Sequence, residues 1–469
     1  MSREPFPLEP APEELEAQTR AVADFVLAHL RSLDQQPSFD LDGVAELRAA
    51  LREPVPEAGR PLPGLLGLLG PAIAKSYNTA GPGYLAYIPG GGIYASALAD
   101  FIAAATNRYV GVTAAAPALA QIEETTVGWL CELMGLPAGA LGILTSGGSL
   151  SNFSAIVTAR HERLGEAFQD GSIYFSGETH HCVTKAARLA GFPGASLREL
   201  PTDARRRLVP TALEEAIRED RAGGRRPFLV VANVGTTNTG AIDPLPEILE
   251  IARRHGLWVH ADAAYGGFFR LAPGGPALLR GIEDCDSITL DPHKGLFLPY
   301  GLGALLVRDG PALARAHRGT ASYVQDVADE GSLGFADLSP ELSRDFRGLR
   351  VWLPLVLHGV AAFREQLAEK LTLARWAYRG LSADPRFEML DEPQLSVVAF
   401  RLRTPGEDAD RLGRELLRRV NARRRVFLSS TRMDGRYVLR LCALSFRTHQ
   451  DRVRDAVEAL CEEARALLG

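Results

Sequence analysis

Between about Gly142 and Arg308, short β-branched runs alternate with helical patterns, and this alternation leaves few folds open. Phe228–Val234 is almost wholly apolar, as expected of a parallel strand buried on both faces. Asp243-Pro244 follows, then an amphipathic stretch, Leu245–His255, that stops at Gly256. Asp as N-cap, Pro at the first helical position and Gly just past the end punctuate one helix. Leu257–Ala261 then opens another strand. Strand, helix and strand within about 35 residues make a βαβ unit, whose repetition predicts an α/β chain with a mainly parallel sheet between helices.

The flanks differ. From Glu13 to Leu33 the apolar residues Val22, Phe25, Val26, Leu30 and Leu33 share one helical face. That stripe needs a cover, either the chain itself or a second subunit. Glu53–Pro63 is proline-rich and reads as a linker. Near the C-terminus Ser396–Leu402, Val426–Ser430 and Tyr437–Cys442 are strand-like, and a last helix opens at Thr448 with Asp451 completing a variant capping box. Together they predict a small α+β lobe.

Composition removes several function classes. A net charge of -5 argues against a nucleic-acid or anionic-membrane partner. The most apolar stretch, Leu65–Ala74, is broken by Gly67, Gly70 and Pro71 and is far shorter than the roughly 20 residues of a membrane span. Met1–Pro12 has no apolar signal core. The 5 cysteines are scattered without a Cys-x-x-Cys pair, so neither a disulfide framework nor a metal site is expected. A soluble, reducing, cytoplasmic setting fits best.

Four segments carry candidate chemistry. Thr145–Asn152 (Thr-Ser-Gly-Gly-Ser-Leu-Ser-Asn) links an apolar run to a helical pattern over Phe153–Arg160, so amides from Gly148 through Ser149 and Leu150 to Ser151 could hold a phosphate at a helix N-terminus. A plain strand-to-helix turn would look the same. His180-His181 follows the apolar run Ile173–Ser176; His180 could stack on a flat heterocycle, or simply bond its own backbone at a helix start. Asp262 ends the strand of Val259–Tyr265, where a buried carboxylate needs a cationic partner; a protonated pyridine would serve, with small Ala264 leaving room for a ring. Lys294, in Ser287–Gly295, follows another buried strand. Desolvation there would lower its pKa and free the amine for imine formation, with His293 within reach of a phosphate. No segment decides alone. Their order does: anion turn, stacking His, acidic strand end and lysine are the parts of a pyridoxal 5'-phosphate site.

These residues, Gly147-Gly-Ser149, His180, Asp262-Ala-Ala-Tyr265 and Pro292-His-Lys294, resemble the group II pyridoxal-dependent decarboxylases, which include the aromatic amino acid and glutamate decarboxylases. Ala86–Pro89, Glu123-Glu124, Gly235–Thr237 and Arg344–Trp352 resemble family segments in the same order. The resemblance implies fold type I, the aspartate aminotransferase fold, and a homodimer with its site at the interface. It implies an N-terminal helical segment (1–92) clasping the partner, a large cofactor-binding domain (93–355) and a small C-terminal domain (356–469). Lys294 would carry the cofactor as a Schiff base, Asp262 its ring nitrogen, His180 and Ala264 its faces, and Ser149, Leu150, Ser151 and His293 its phosphate. Thr237 would lie nearby, and Tyr87, Ile88 and Pro89 on the substrate side.

The implied reaction is decarboxylation of an L-amino acid, with an apolar or aromatic side chain favoured by the residues at 87–89. In the family a loop tyrosine helps reprotonate the product carbon, and phenylalanine there goes with oxygen-dependent aldehyde formation. Tyr323 is the match here, although Phe335 lies downstream. It favours simple decarboxylation; aldehyde formation and transamination are the alternatives.

Overall fold

The computed structural model describes residues 8–319, 334–404 and 408–469. Its larger sheet has seven strands: β1 (Leu141–Thr145), β2 (Gly171–Ser176), β3 (Leu197–Leu200), β4 (Arg226–Asn233), β5 (Trp258–Asp262), β6 (Ser287–Leu290) and β7 (Gly303–Val307), in the order β1-β7-β6-β5-β4-β2-β3. β7 runs antiparallel to both its neighbours, and the other pairings are parallel. This is the mainly parallel sheet expected of fold type I.

Register sets the site. Asn233, Asp262 and Thr289 are cross-strand neighbours at or near the carboxyl ends of β4, β5 and β6. Alternation explains which side chains face where. In β5, Val259 and Ala261 join one apolar core, as do Ile288 and Leu290 of β6. The opposite face carries Trp258, His260 and Asp262 beside Ser287 and Thr289. The helix Gly148–Leu164 covers that polar strip, with Asn152 bonded to His260, Thr289 and Asp262.

The smaller sheet, β8 (Phe387–Met389), β9 (Val397–Leu402), β10 (Ser429–Met433) and β11 (Arg436–Cys442), is antiparallel in the order β10-β11-β9-β8. The helices Asp408–Ala422 and Gln450–Leu468 close its core with the later part of Arg347–Ser382, a helical stretch broken at Gly359. The helices Pro12–Ser32 and Leu62–Ala74 bury none of their residues. No helix among the described residues is long and apolar enough to cross a membrane.

Several expected boundaries move. Asp243 does not cap the helix Leu245–His255: its oxygens accept the Leu208 and Asn233 amides, both at 2.7 Å, and Pro244 takes the N-cap. Tertiary donors outbid the local cap. Thr448 likewise donates to Pro82 O at 2.8 Å, and His449 is the N-cap of the last helix. The expected strand at Val426 begins only at Ser429, because Phe427 pairs with Gly83 and Leu85 instead. The proline-rich linker gives way to helix at Leu62, and the helix expected from Phe153 begins at Gly148.

Candidate active site

The carboxyl ends of β1, β2, β4, β5 and β6 open onto one cleft of about 270 Å³. Ligands of open α/β sheets lie in this position.

Gly147 forms the turn out of β1 with φ 150° and ψ 172°, a region that essentially only glycine occupies. It brings Gly148 and Ser149 to the cleft as the first residues of a helix, whose leading amides lack backbone acceptors. A Cβ on Gly148 would lie 3.1 Å from Asp291 Oδ2 and 3.4 Å from Ala264 Cβ, so glycine preserves a narrow slot. Leu150 and Ser151 do not line the cleft. Their amides already donate to Gly147 O at 3.0 and 3.2 Å, and the Ser151 hydroxyl pairs with Thr145 Oγ1 at 2.7 Å. Ser146 and Gly147 line it in their place.

His180 lines the cleft, and its Nδ1 accepts the Cys182 amide at 3.3 Å, so stacking wall and helix-start residue are the same side chain. Burial lowers its pKa despite the pull of Asp262, which leaves a flat neutral ring. Ala264 also lines the cleft.

Asp262 is 8% exposed. Its Oδ2 accepts the Asn152 amide at 3.0 Å and its Oδ1 accepts the Ala264 backbone N–H at 3.3 Å. Two further lone pairs are open to a donor in the cleft.

Lys294 sits on the short helical turn Pro292–Gly295, and its Nζ lies 2.8 Å from Asp291 Oδ2. The side chain is 24% exposed, and that surface faces the cleft. Burial alone would push the amine down, as expected from the sequence. The Asp291 charge and hydrogen bond, helped by Asp262, outweigh it and raise the pKa instead. The expected neutral amine is thus an ammonium held by Asp291.

His293 donates from Nδ1 to Leu302 O at 2.6 Å. In the neutral ring Nε2 is then an acceptor, so it can donate to an anion only when protonated, and burial lowers its pKa. Thr237 lines the cleft. Tyr87, Ile88 and Pro89 do not: Tyr87 is 52% exposed and Ile88 belongs to the main core. They are tied to its edge by Arg440, which donates to the carbonyls of Tyr87, Thr237 and Asn238. Tyr323 lies outside the described residues.

Asp291 and Asn152 line the cleft, and His260 and Arg440 bond to residues that do, though none of the four stood out as a candidate in the sequence. Asp291 and Asn152 stand inside the two motifs themselves, and Arg440 is a lone charge in the apolar run Val438–Cys442. An anion cup, a slot, a neutral ring, a buried carboxylate and a single amine together fit a flat phosphorylated aldehyde with a basic ring nitrogen.

Comparison with known proteins agrees. The pyridoxal-dependent decarboxylase conserved domain matches residues 45–403. The chain is 34% identical over 462 residues to an aromatic-L-amino-acid decarboxylase of Bacillus atrophaeus, covering 96% of each chain. It resembles the crystal structure of Oryza sativa TDC with PLP and tryptamine at a TM-score of 0.93 and 28% identity, over 99% of this chain and 100% of that one. Rhodiola rosea 4-hydroxyphenylacetaldehyde synthase is similar at a TM-score of 0.91 and 25% identity, with 99% and 100% coverage.

Proposed function

The chain belongs to the pyridoxal-dependent decarboxylase family, uses pyridoxal 5'-phosphate as cofactor, and we propose that it converts an aromatic L-amino acid to the amine and CO2. The observation that carries this reading is one cleft holding Lys294, Asp262 and the Gly147–Ser149 turn together.

When bound, the cofactor supplies an electron-poor ring that accepts the electron pair of the broken Cα–carboxylate bond. The protein's part is placement. Lys294 would hold the aldehyde carbon, and the amides of Gly148 and Ser149 the phosphate. Asp262 would keep a proton on the ring nitrogen. His180 and Ala264 would confine the ring to the slot that Gly148 keeps open. Thr237 would border the substrate side chain, while Tyr87–Pro89, held by Arg440, stand outside the cleft. Tyr323 would return a proton to Cα.

A homodimer completes this reading. Phe101, Ile102, Val356 and Leu357 are each about half exposed, and the three helices before residue 92 lack buried residues; a second copy would cover them. The proposed division at 92 and 355 keeps the first part as the clasp. A cytoplasmic location accords with 5 free cysteines.

The experiment is a panel of aromatic L-amino acids assayed together for CO2, ammonia and peroxide. Amine with one CO2 and no peroxide is expected. The likeness to the Rhodiola enzyme supports a second reading, in which O2 is consumed and aldehyde, CO2, ammonia and peroxide appear. That outcome would displace the first.

A further inference from the structure

Behind Asp262 the polar strip between sheet and helix forms an unbroken chain of hydrogen bonds. Trp258 Nε1 donates to Ser287 Oγ at 2.8 Å. Ser287 Oγ lies 2.8 Å from His260 Nδ1, and His260 Nε2 lies 2.8 Å from Asn152 Oδ1. Thr289 donates to the same oxygen at 2.9 Å, and Asn152 Nδ2 donates to Asp262 Oδ2 at 3.0 Å. Every member is buried.

This chain has two conceivable directions, and they correspond to two protonation states of the carboxylate. In one, the Ser287 hydroxyl donates to Nδ1, Nε2–H donates to Asn152 Oδ1, and the amide presents its N–H groups to Asp262 Oδ2 and, at 3.2 Å, to Cys182 Sγ, which favours the carboxylate over the acid. In the other, Nδ1–H donates to Ser287, the amide turns over, and its oxygen faces Asp262, which must then carry a proton. The second direction is the weaker at both ends. Ser287 Oγ would accept from indole and imidazole at once, and its hydrogen would be buried without an acceptor. Thr289 would lose the amide oxygen it donates to at 2.9 Å and would be left with His260 Nε2, at 3.3 Å, as its acceptor.

We infer that Trp258, Ser287, His260 and Asn152 form a one-directional relay that holds Asp262 as an anion, with a lone pair left for the cofactor's ring nitrogen. These are positioning residues: the relay touches the cofactor only through Asp262. The indole N–H turns the Ser287 hydrogen toward the imidazole. The imidazole fixes the amide, and the amide fixes the charge. The inference rests on the reading of this cleft as a pyridoxal phosphate site.

The test compares two ligands on purified apoenzyme: pyridoxal 5'-phosphate, and its carbon analogue with CH in place of the ring nitrogen. Wild type is expected to prefer the natural cofactor; failure to bind it at all would sink the site reading rather than the relay. His260→Leu is expected to weaken pyridoxal phosphate binding tenfold or more, and Ser287→Ala about threefold, with the analogue changed less than twofold. A merely structural role would weaken both ligands alike, and that result overturns the relay, as does no loss for either. If His260→Leu fails to fold, Ser287→Ala, which deletes one hydroxyl, decides by the same ratio.

Discussion

Lys294 Nζ stands 2.8 Å from Asp291 Oδ2, three residues back on the same helical turn. The pairing keeps protonated an amine that must be neutral to attack an aldehyde. In Asp291→Asn the charge disappears and burial is left dominant, so the lysine pKa falls. Each unit of fall exposes about tenfold more free amine at neutral pH. Cofactor capture by the apoenzyme, followed by stopped-flow absorbance between pH 6 and 9, is expected to be at least about tenfold faster at pH 7. An unchanged or slower rate would show that Asp291 does not restrain the amine.

Gly147 holds the anion cup in a backbone region closed to side chains. Gly147→Ala therefore costs about 1–3 kcal/mol if the turn persists. Relaxation of the turn would instead pull the Gly148 and Ser149 amides out of line. Apoenzyme melting and pyridoxal phosphate affinity measured together distinguish the two responses. We expect a lower melting temperature or an affinity reduced about tenfold, and neither change would refute this account of the cup.

Much of this was legible in the chain because it is local. The strand of Phe228–Val234 and the lysine turn after Ser287 announce themselves through apolar runs and their punctuation. What stayed hidden depends on partners distant in sequence. Asp243 looks like a helix cap until Leu208 and Asn233 claim its oxygens. Ser151 looks like a phosphate ligand until the helix is seen to begin at Gly148, so that the Ser151 amide donates to Gly147 O. Lys294 looks like a neutral amine because nothing in the motif signals that the Asp291 side chain turns back onto it. The alternation in Trp258–Asp262 and Ser287–Leu290 did encode a polar face, but only the register of β5 on β6 aligns the two halves.

Arg344 and Glu123 form a fully buried ion pair at 2.6 Å, and Arg344 also donates to Leu144 O at 3.0 Å, just before the anion turn. Burial raises the Glu123 pKa against the pull of Arg344, so desolvation exceeds the attraction. Glu123→Ala leaves a buried cation alone and is expected to cost about 3–5 kcal/mol. Glu123→Leu with Arg344→Met removes both charges and should recover most of that loss. The urea midpoints of the two variants check this. Equal midpoints would mean that the carboxylate is not what stabilises Arg344.

His260 adds a pH dependence of known sign. Burial holds its pKa down at about 4, although Asp262 pulls upward. In the unfolded chain the imidazole titrates near its ordinary value, about 6.5. Between those values the unfolded state binds a proton that the folded state does not, so stability rises with pH across this window. The contribution is complete above about pH 6.5 and is lost as pH falls toward 4, amounting to about 3 kcal/mol. In His260→Gln, whose side-chain N–H can still approach Asn152, the contribution is absent at every pH. Melting of wild-type apoenzyme is therefore expected to fall more steeply between pH 6.5 and 4.5 than melting of the variant. Carboxylates common to both proteins contribute equally and cancel in the difference. Parallel curves would mean that the folded protein protonates His260 as readily as the unfolded chain does, and the neutral imidazole on which the Asn152 orientation depends would not exist.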